Sequence, residues 1–236
     1  MTQRHHGTRG AAGTLYVVAT PIGNLSDVSL RAIEVLKAAQ VIACEDTRHT
    51  RKLLSLLGIP APRLVSLHEH NEERRLDGLR ELLVSGTDVV LASDAGTPTV
   101  SDPGYRLVAD CVASDVPVVP IPGPCAAVAA LSASGLPTDR FLFLGFPPHK
   151  KSKLDAYLDE ALSPGRTSVL YAPLRRVPKL LERMATRAPE AQVVIARELT
   201  KLHEQFLRGT VEALLADIEN LPMKGECTIV VHRPKG

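Results

Sequence analysis

The chain has 236 residues, enough for one large domain or two small ones. Hydrophobic residues make up 44% and charged residues 23%, which excludes a disordered polyelectrolyte, and a formal net charge of +2 excludes a polycation that grips acidic partners through bulk charge. Aromatics are only 3% and Trp is absent, which argues against a grip on single-stranded nucleic acid built on many stacked bases.

Residues 1–12 are polar and contain no apolar stretch, so they read as a frayed tail and not as a signal peptide. No run approaches the length of a membrane span, and a cytoplasmic location is expected. Cys44, Cys111, Cys125 and Cys227 show no metal-binding spacing and read as reduced thiols, so no metal is expected.

Short β-branched runs then alternate with amphipathic stretches. Strands are predicted at residues 14–19, 41–44, 63–67, 88–92 and 117–121. Helices are predicted at 27–38, 47–57, 72–84, 103–113 and 125–134, with Ser26 or Asp27, Thr47 and Asn71 as candidate caps and Gly58 and Gly135 as stops. This alternation predicts a mostly parallel sheet covered by helices, an α/β unit over residues 13–135. Beyond a Pro-Pro-containing loop at 146–151, strands at 141–145, 167–171, 192–197, 205–209 and 227–232 and helices at 152–162, 177–187 and 211–220 predict a second α/β domain with a mixed sheet over 136–236. A cleft between two domains is the expected ligand site.

Three Gly- and Pro-rich segments follow predicted strands: Thr20-Pro21-Ile22-Gly23-Asn24-Leu25, Ser93-Asp94-Ala95-Gly96-Thr97-Pro98 and Pro120-Ile121-Pro122-Gly123-Pro124-Cys125. Such turns present main-chain groups to a ligand, and Asp94 adds a carboxylate suited to a ribose hydroxyl or an ammonium group. Neither a dinucleotide glycine fingerprint nor a P-loop is present. A fourth segment, Glu45-Asp46-Thr47-Arg48-His49-Thr50-Arg51-Lys52, puts cations in the first turn of a helix, where the helix dipole favours acids, and so points to a phosphate. His68-Glu69-His70 lacks a nearby third His or Cys ligand, so helix entry or RNA contact is preferred over a metal site. Further cations at His149, Lys150, Lys151, Lys153, Arg175, Arg176, Lys179 and Arg183 extend the set, together with Arg74 and Arg75.

Together these segments closely resemble the bacterial small-subunit ribosomal RNA methyltransferase I family, the 2′-O-cytidine branch of the tetrapyrrole methylase superfamily. The likeness runs from Leu15 to about Val231 and is most specific at Glu45–Lys52 and Ser93–Gly104. It implies a two-domain tetrapyrrole methylase-like (class III methyltransferase) fold, a homodimer, S-adenosylmethionine as cofactor and a cytidine in the decoding region of 16S rRNA as substrate, within the small ribosomal subunit. Carried over by motif, the cofactor contacts are Pro21, Ile22, Asp94, Ala95, Gly96, Thr97, Gly123, Cys125 and Ala126, with Leu144, Tyr171, Glu198, Leu199, Gly225, Glu226 and Thr228 from the second domain. RNA contacts are expected at Arg48, His49, Arg51, Lys52, His70, Arg74, Lys150 and Lys151. Two departures stand out. Where the family usually reads Tyr-Glu-Ser-Pro-His-Arg, this chain reads Tyr171-Ala172-Pro173-Leu174-Arg175-Arg176, and Cys125 replaces the usual Ser.

A sulfonium-bound methyl group is already activated, so placement supplies much of the rate, and Glu45 or Asp46 is the candidate base or ribose-orienting group. The competing readings are a precorrin-type C-methyltransferase of the same superfamily and a non-catalytic S-adenosylmethionine-binding ribosome-assembly factor.

Overall fold

A computed structural model describes residues 12–220 and 224–235; the expected tail over 1–12 lies outside them except for its last residue. The chain forms two compact units, one comprising the residues up to Pro21 with Leu25–Pro124, the other Ile22–Asn24 with the residues from Cys125 onward.

The first unit runs β1 (Leu15–Val18), α1 (Leu30–Ala38), β2 (Val41–Cys44), α2 (Thr47–Leu56), β3 (Arg63–Ser66), α3 (Glu72–Val84), β4 (Val89–Ala92), α4 (Tyr105–Ala113) and β5 (Val118–Ile121). Its five strands are ordered β3-β2-β4-β1-β5, and every pairing is parallel. The central strands β2 and β4 are buried along their whole length because helices cover both faces. On one face Ala32 and Leu36 of α1 and Leu54 of α2 meet Val18, Ile42, Cys44, Val90 and Ala92. On the other, Leu79 and Leu83 of α3 and Leu107 and Cys111 of α4 meet Leu15, Ala43, Val89 and Leu91.

Helix caps differ from the expected ones. Leu25–Asp27 forms a 3₁₀ turn, and the side chain of Ser29 caps α1 by accepting from the Ala32 N–H. Asp46, not Thr47, caps α2. Asn71 occupies the cap position of α3 without bonding to that helix: its Oδ1 accepts from the His68 N–H at 2.9 Å and its Nδ2 donates to the Ser66 carbonyl at 3.2 Å. Buried at the end of β3, its amide satisfies the turn's own backbone groups instead. Gly58 and Gly135 do adopt positive φ where helices stop.

The second unit runs α5 (Ala126–Ser132), β6 (Phe141–Gly145), α6 (Lys151–Ala161), β7 (Thr167–Pro173), α7 (Val177–Ala185), β8 (Gln192–Arg197), β9 (Gln205–Thr210), α8 (Val211–Ala216) and β10 (Glu226–His232). The sheet order is β6-β7-β10-β8-β9, with β6 parallel to β7 and the remaining pairs antiparallel, the mixed sheet expected. Helices α6, α7 and α8 cover one face through Leu158, Leu180, Leu181, Met184 and Val211. Helix α5 covers the other: Ala127, Ala130 and Leu131 pack on Val169, Val194, Ala196 and Val230. The units therefore divide at Pro124 and not at residue 135, because the apolar face of α5 is buried by the second sheet. No helix among the described residues is long and apolar enough to cross a membrane.

Helices α6 and α7 are also joined by charge. Arg183 and Arg187 both donate to Asp155 Oδ1, at 2.5 and 2.7 Å, and Arg187 Nε donates to Asp159 Oδ1 at 2.8 Å. The Arg187 hydrogen bond, with the neighbouring Arg183, holds the Asp155 carboxyl below the usual carboxylate range. A group depressed in the folded state stabilises above its unfolded value and loses that contribution as pH falls through the folded value. Asp155→Asn should therefore lower the thermal midpoint at neutral pH, with the gap from the parent closing as the medium is acidified, as thermal melts across acidic pH would read.

Candidate functional site

In a fully parallel sheet every strand end carrying a loop to the next helix lies along one edge. Neighbouring strands β2 and β4 send their chains to opposite faces, β2 into α2 and β4 into α4. Their loops diverge, and this switch point is where open parallel sheets bind ligands.

Glu45 and Asp46 leave β2 there, and Asp94 leaves β4. Asp94 Oδ1 accepts from the Asp46 N–H at 3.1 Å, and His49 Nδ1 lies 4.0 Å from Asp94 Oδ2. The two carboxylates expected to serve as bases have opposite environments. Asp46 accepts from the main-chain N–H of Arg48 at 2.8 Å and from its Nε and Nη2 at 3.2 and 2.8 Å, and the Arg48 side chain holds its carboxyl well below the usual range. The Glu45 carboxyl is pushed up, first by desolvation and then by the negative charges of Asp94 and Glu69.

The Asp94–Thr97 loop is held from both sides. Thr20 and Gly96 exchange main-chain hydrogen bonds at 2.9 and 3.0 Å, in an antiparallel bridge made with Gly96 at φ +87°. Thr20 Oγ1 donates to the Ser93 carbonyl at 3.1 Å, Ser93 Oγ to Gly96 O at 2.9 Å, and Thr97 Oγ1 to Pro124 O at 3.1 Å. Thr20 and Ser93 are buried hydroxyls with no proposed ligand role from sequence, although small hydroxyl residues flanking Gly-Pro turns are their signature. Thr99 and Ser101 follow at φ 71° and 64°, a left-handed region that costs a non-glycine residue energy and marks an over-determined segment.

In the second unit Ile22, Cys125, Ala126, Tyr171 and Leu199 share one apolar cluster. Cys125 sits at the cap position of α5 but makes no side-chain cap bond. Tyr171 supplies it: the Ala127 N–H donates to the Tyr171 hydroxyl at 3.1 Å. Thr228 pairs with Tyr171 across β10 and β7. The Glu198 N–H donates to the Glu226 carbonyl at 3.3 Å, and Gly225, at φ +102°, faces Glu198 so closely that an added Cβ would lie 2.5 Å from Glu198 Oε1. Leu144 is the exception. It packs with the α6–α7 core, whereas Phe143 and Tyr171 belong to the cluster on the opposite face, and the register of β6 against β7 shifts between Phe143 and Gly145.

Among the expected RNA contacts, Arg51, Lys52, Arg74, Lys150 and Lys151 are exposed and have no acid partner among the described residues. Arg48 is paired with Asp46, and His70 lies 3.3 Å from Glu69. An open groove of about 600 Å³ in the second unit, lined by Phe146, Pro173, Arg175 and Glu226, was not predicted, because its walls come from three separate parts of the chain.

A fully parallel sheet with its switch point lined by acids, followed by a mixed-sheet unit, makes a two-unit α/β protein. A sequence profile described as Tetrapyrrole (Corrin/Porphyrin) Methylases matches residues 14–215. The uroporphyrin-III-C-methyltransferase of Thermus thermophilus superposes with a TM-score of 0.63 at 26% identity, covering 94% of each chain. Diphthine synthase superposes with a TM-score of 0.68 at 16% identity, covering 94% of this chain and 90% of that one. In sequence the chain is 46% identical over 231 residues to Ribosomal RNA small subunit methyltransferase I of Halalkalibacterium halodurans, covering 98% of this chain and 80% of that protein. It is 45% identical over 237 residues to the protein of that name in Escherichia coli O157:H7, with 99% and 82% covered. The chain belongs to the tetrapyrrole methylases and, within them, to the ribosomal RNA small subunit methyltransferase I family.

The rim tolerates little added volume. A Cβ at Gly123 would lie 2.9 Å from Ala19 Cβ and 3.3 Å from Ala19 O. Gly123→Ala should cost about 1–3 kcal/mol, the range for overpacking a tight site, as urea denaturation would measure.

Proposed function

We propose that this chain transfers the methyl group of S-adenosylmethionine to the ribose 2′-oxygen of a cytidine in the decoding region of 16S rRNA, acting in the cytoplasm as a homodimer on the small ribosomal subunit. The observation that supports it most is membership of the ribosomal RNA small subunit methyltransferase I family, joined to an acid-lined switch point in the first unit.

The residues suit that cofactor. Asp94 is partly exposed, with a carboxylate oxygen for an ammonium group or a ribose hydroxyl, and Ala95, Gly96 and Gly123 add no bulky side chain to the rim. Bound there, S-adenosylmethionine supplies a methyl group already activated on a sulfonium. Asp94 and the main chain of Ala95–Thr97 hold the cofactor in our reading, beside Pro21 and Gly123. Ile22, Cys125, Ala126, Tyr171, Leu199 and Thr228 add side-chain contacts, and Glu198, Gly225 and Glu226 add main-chain ones. Glu45 takes the proton of the 2′-hydroxyl: its raised carboxyl is a stronger base than that of Asp46, whose lone pairs are committed to Arg48 and the α2 cap. Arg51, Lys52, Arg74, Lys150 and Lys151 contact phosphates. Such unpaired cations favour RNA over a porphyrin-type substrate.

Mass spectrometry of 16S rRNA tests the reading. Cells without the protein should lack one cytidine ribose methyl, and purified protein with S-adenosylmethionine should restore it to their small subunits; an unchanged methylation pattern would overturn it. Within the reading, Glu45→Gln should lower kcat about 100-fold, the lower end of general-base contributions, and leave S-adenosylmethionine affinity unchanged. A base acts deprotonated, so the parent rate should fall as pH drops through the raised Glu45 value, and the variant should lose that acid limb. Initial rates from acidic to neutral pH would show both.

A further inference from the structure

We propose that the groove between Phe146 and Glu226 is a nucleobase subsite for the RNA, in which Phe146 stacks an unpaired base, Glu226 accepts a hydrogen bond from that base's exocyclic amine and Arg175 holds the adjoining phosphate. The proposal rests on the RNA methyltransferase reading above and names how that substrate is held.

Phe146 is 49% exposed, in a chain with four Phe and no Trp. Isolated exposed apolar residues are ordinary, but this one is built in place. Its ring centroid lies 5.5 Å from that of Tyr171, which in turn meets Phe143 edge-on at 5.0 Å. The two prolines that follow stiffen the main chain, and the Arg176 guanidinium donates to the Pro147 and Pro148 carbonyls at 2.6 and 2.9 Å. The ring is thus backed on one side and its loop pinned, the pre-organisation a stacking platform needs.

The opposite wall carries complementary polarity. Glu226 pairs with Pro173 across β10 and β7, and Thr228 pairs with Tyr171, so the groove lies one same-face step, about 7 Å along the strand, from the rung proposed to meet the cofactor. A carboxylate repels phosphate and accepts from an amine, which suits cytosine, adenine or guanine and not uracil. Arg175 is exposed and, among the described residues, has no acid partner, and Lys150 and Lys151 follow the Phe146 loop. The Arg175 guanidinium offers a permanently charged fork for a phosphate.

The test is steady-state methyl transfer from S-adenosylmethionine to small ribosomal subunits lacking the methyl group. Phe146→Ala and Phe146→Leu should each raise KM for the subunit about tenfold, as loss of one base–aromatic stack does, while KM for S-adenosylmethionine stays at the parent value and Phe146→Tyr restores the parent. Arg175→Ala should reduce the salt dependence of subunit binding by about one phosphate contact. Thermal melts check that each variant is folded, and the Leu and Tyr variants decide the matter where Ala perturbs Tyr171. Parent-like KM in Phe146→Leu, failure of Tyr to restore, or an equal rise in KM for both substrates overturns the subsite alone. A parent that methylates no small-subunit cytidine overturns the function and the subsite with it.

Discussion

The loop after β4 ties the first unit together at the edge where its strands end. Strand β4 lies between β2 and β1, and Val89, Val90, Leu91 and Ala92 are all buried between two helical layers. Its loop then secures both neighbours, the β2 side through the Asp94 carboxylate on the Asp46 N–H and the β1 side through paired main-chain bonds between Gly96 and Thr20. Parallel pairing is the prior constraint: it sends every strand-to-helix loop to the same edge, so small residues distant in sequence converge.

Adjacent carboxylates at that edge show how environment separates the proton affinities of like groups. Asp46 turns toward Arg48 and the start of α2 and is held as a fixed anion. Glu45, one residue earlier, has desolvation and the negative charges of Asp94 and Glu69 against it, and its proton affinity rises. The pair is separated by surroundings, each carboxyl answering to its own neighbours.

Tyr171 has a comparable place in the second unit. It stands on β7, its hydroxyl satisfies the N-terminus of α5, and its ring supports Phe146. A hydrophobic helix packed on a sheet leaves its first N–H groups in need of partners, and Cys125 is a poor one. The Tyr171 hydroxyl takes the Ala127 N–H that the Cys125 side chain leaves without a bond, although the two residues belong to different elements.

The alternation of β-branched and amphipathic stretches was enough to place nearly every helix and strand, because periodicity is written locally. Motif spacing likewise located the turns that carry Asp94, Gly96 and Gly123, since tight turns demand particular residue types. Ser29 over Ser26 or Asp27, and Asn71 serving its turn and not its helix, were decided by which backbone groups the fold left unsatisfied. Tertiary structure alone decided that α5 packs with the second sheet, that Leu144 lies on the face away from Tyr171, and that Glu45 and Asp46 diverge. Each of these depends on contacts between residues far apart in the chain, where local sequence carries no record of the partner.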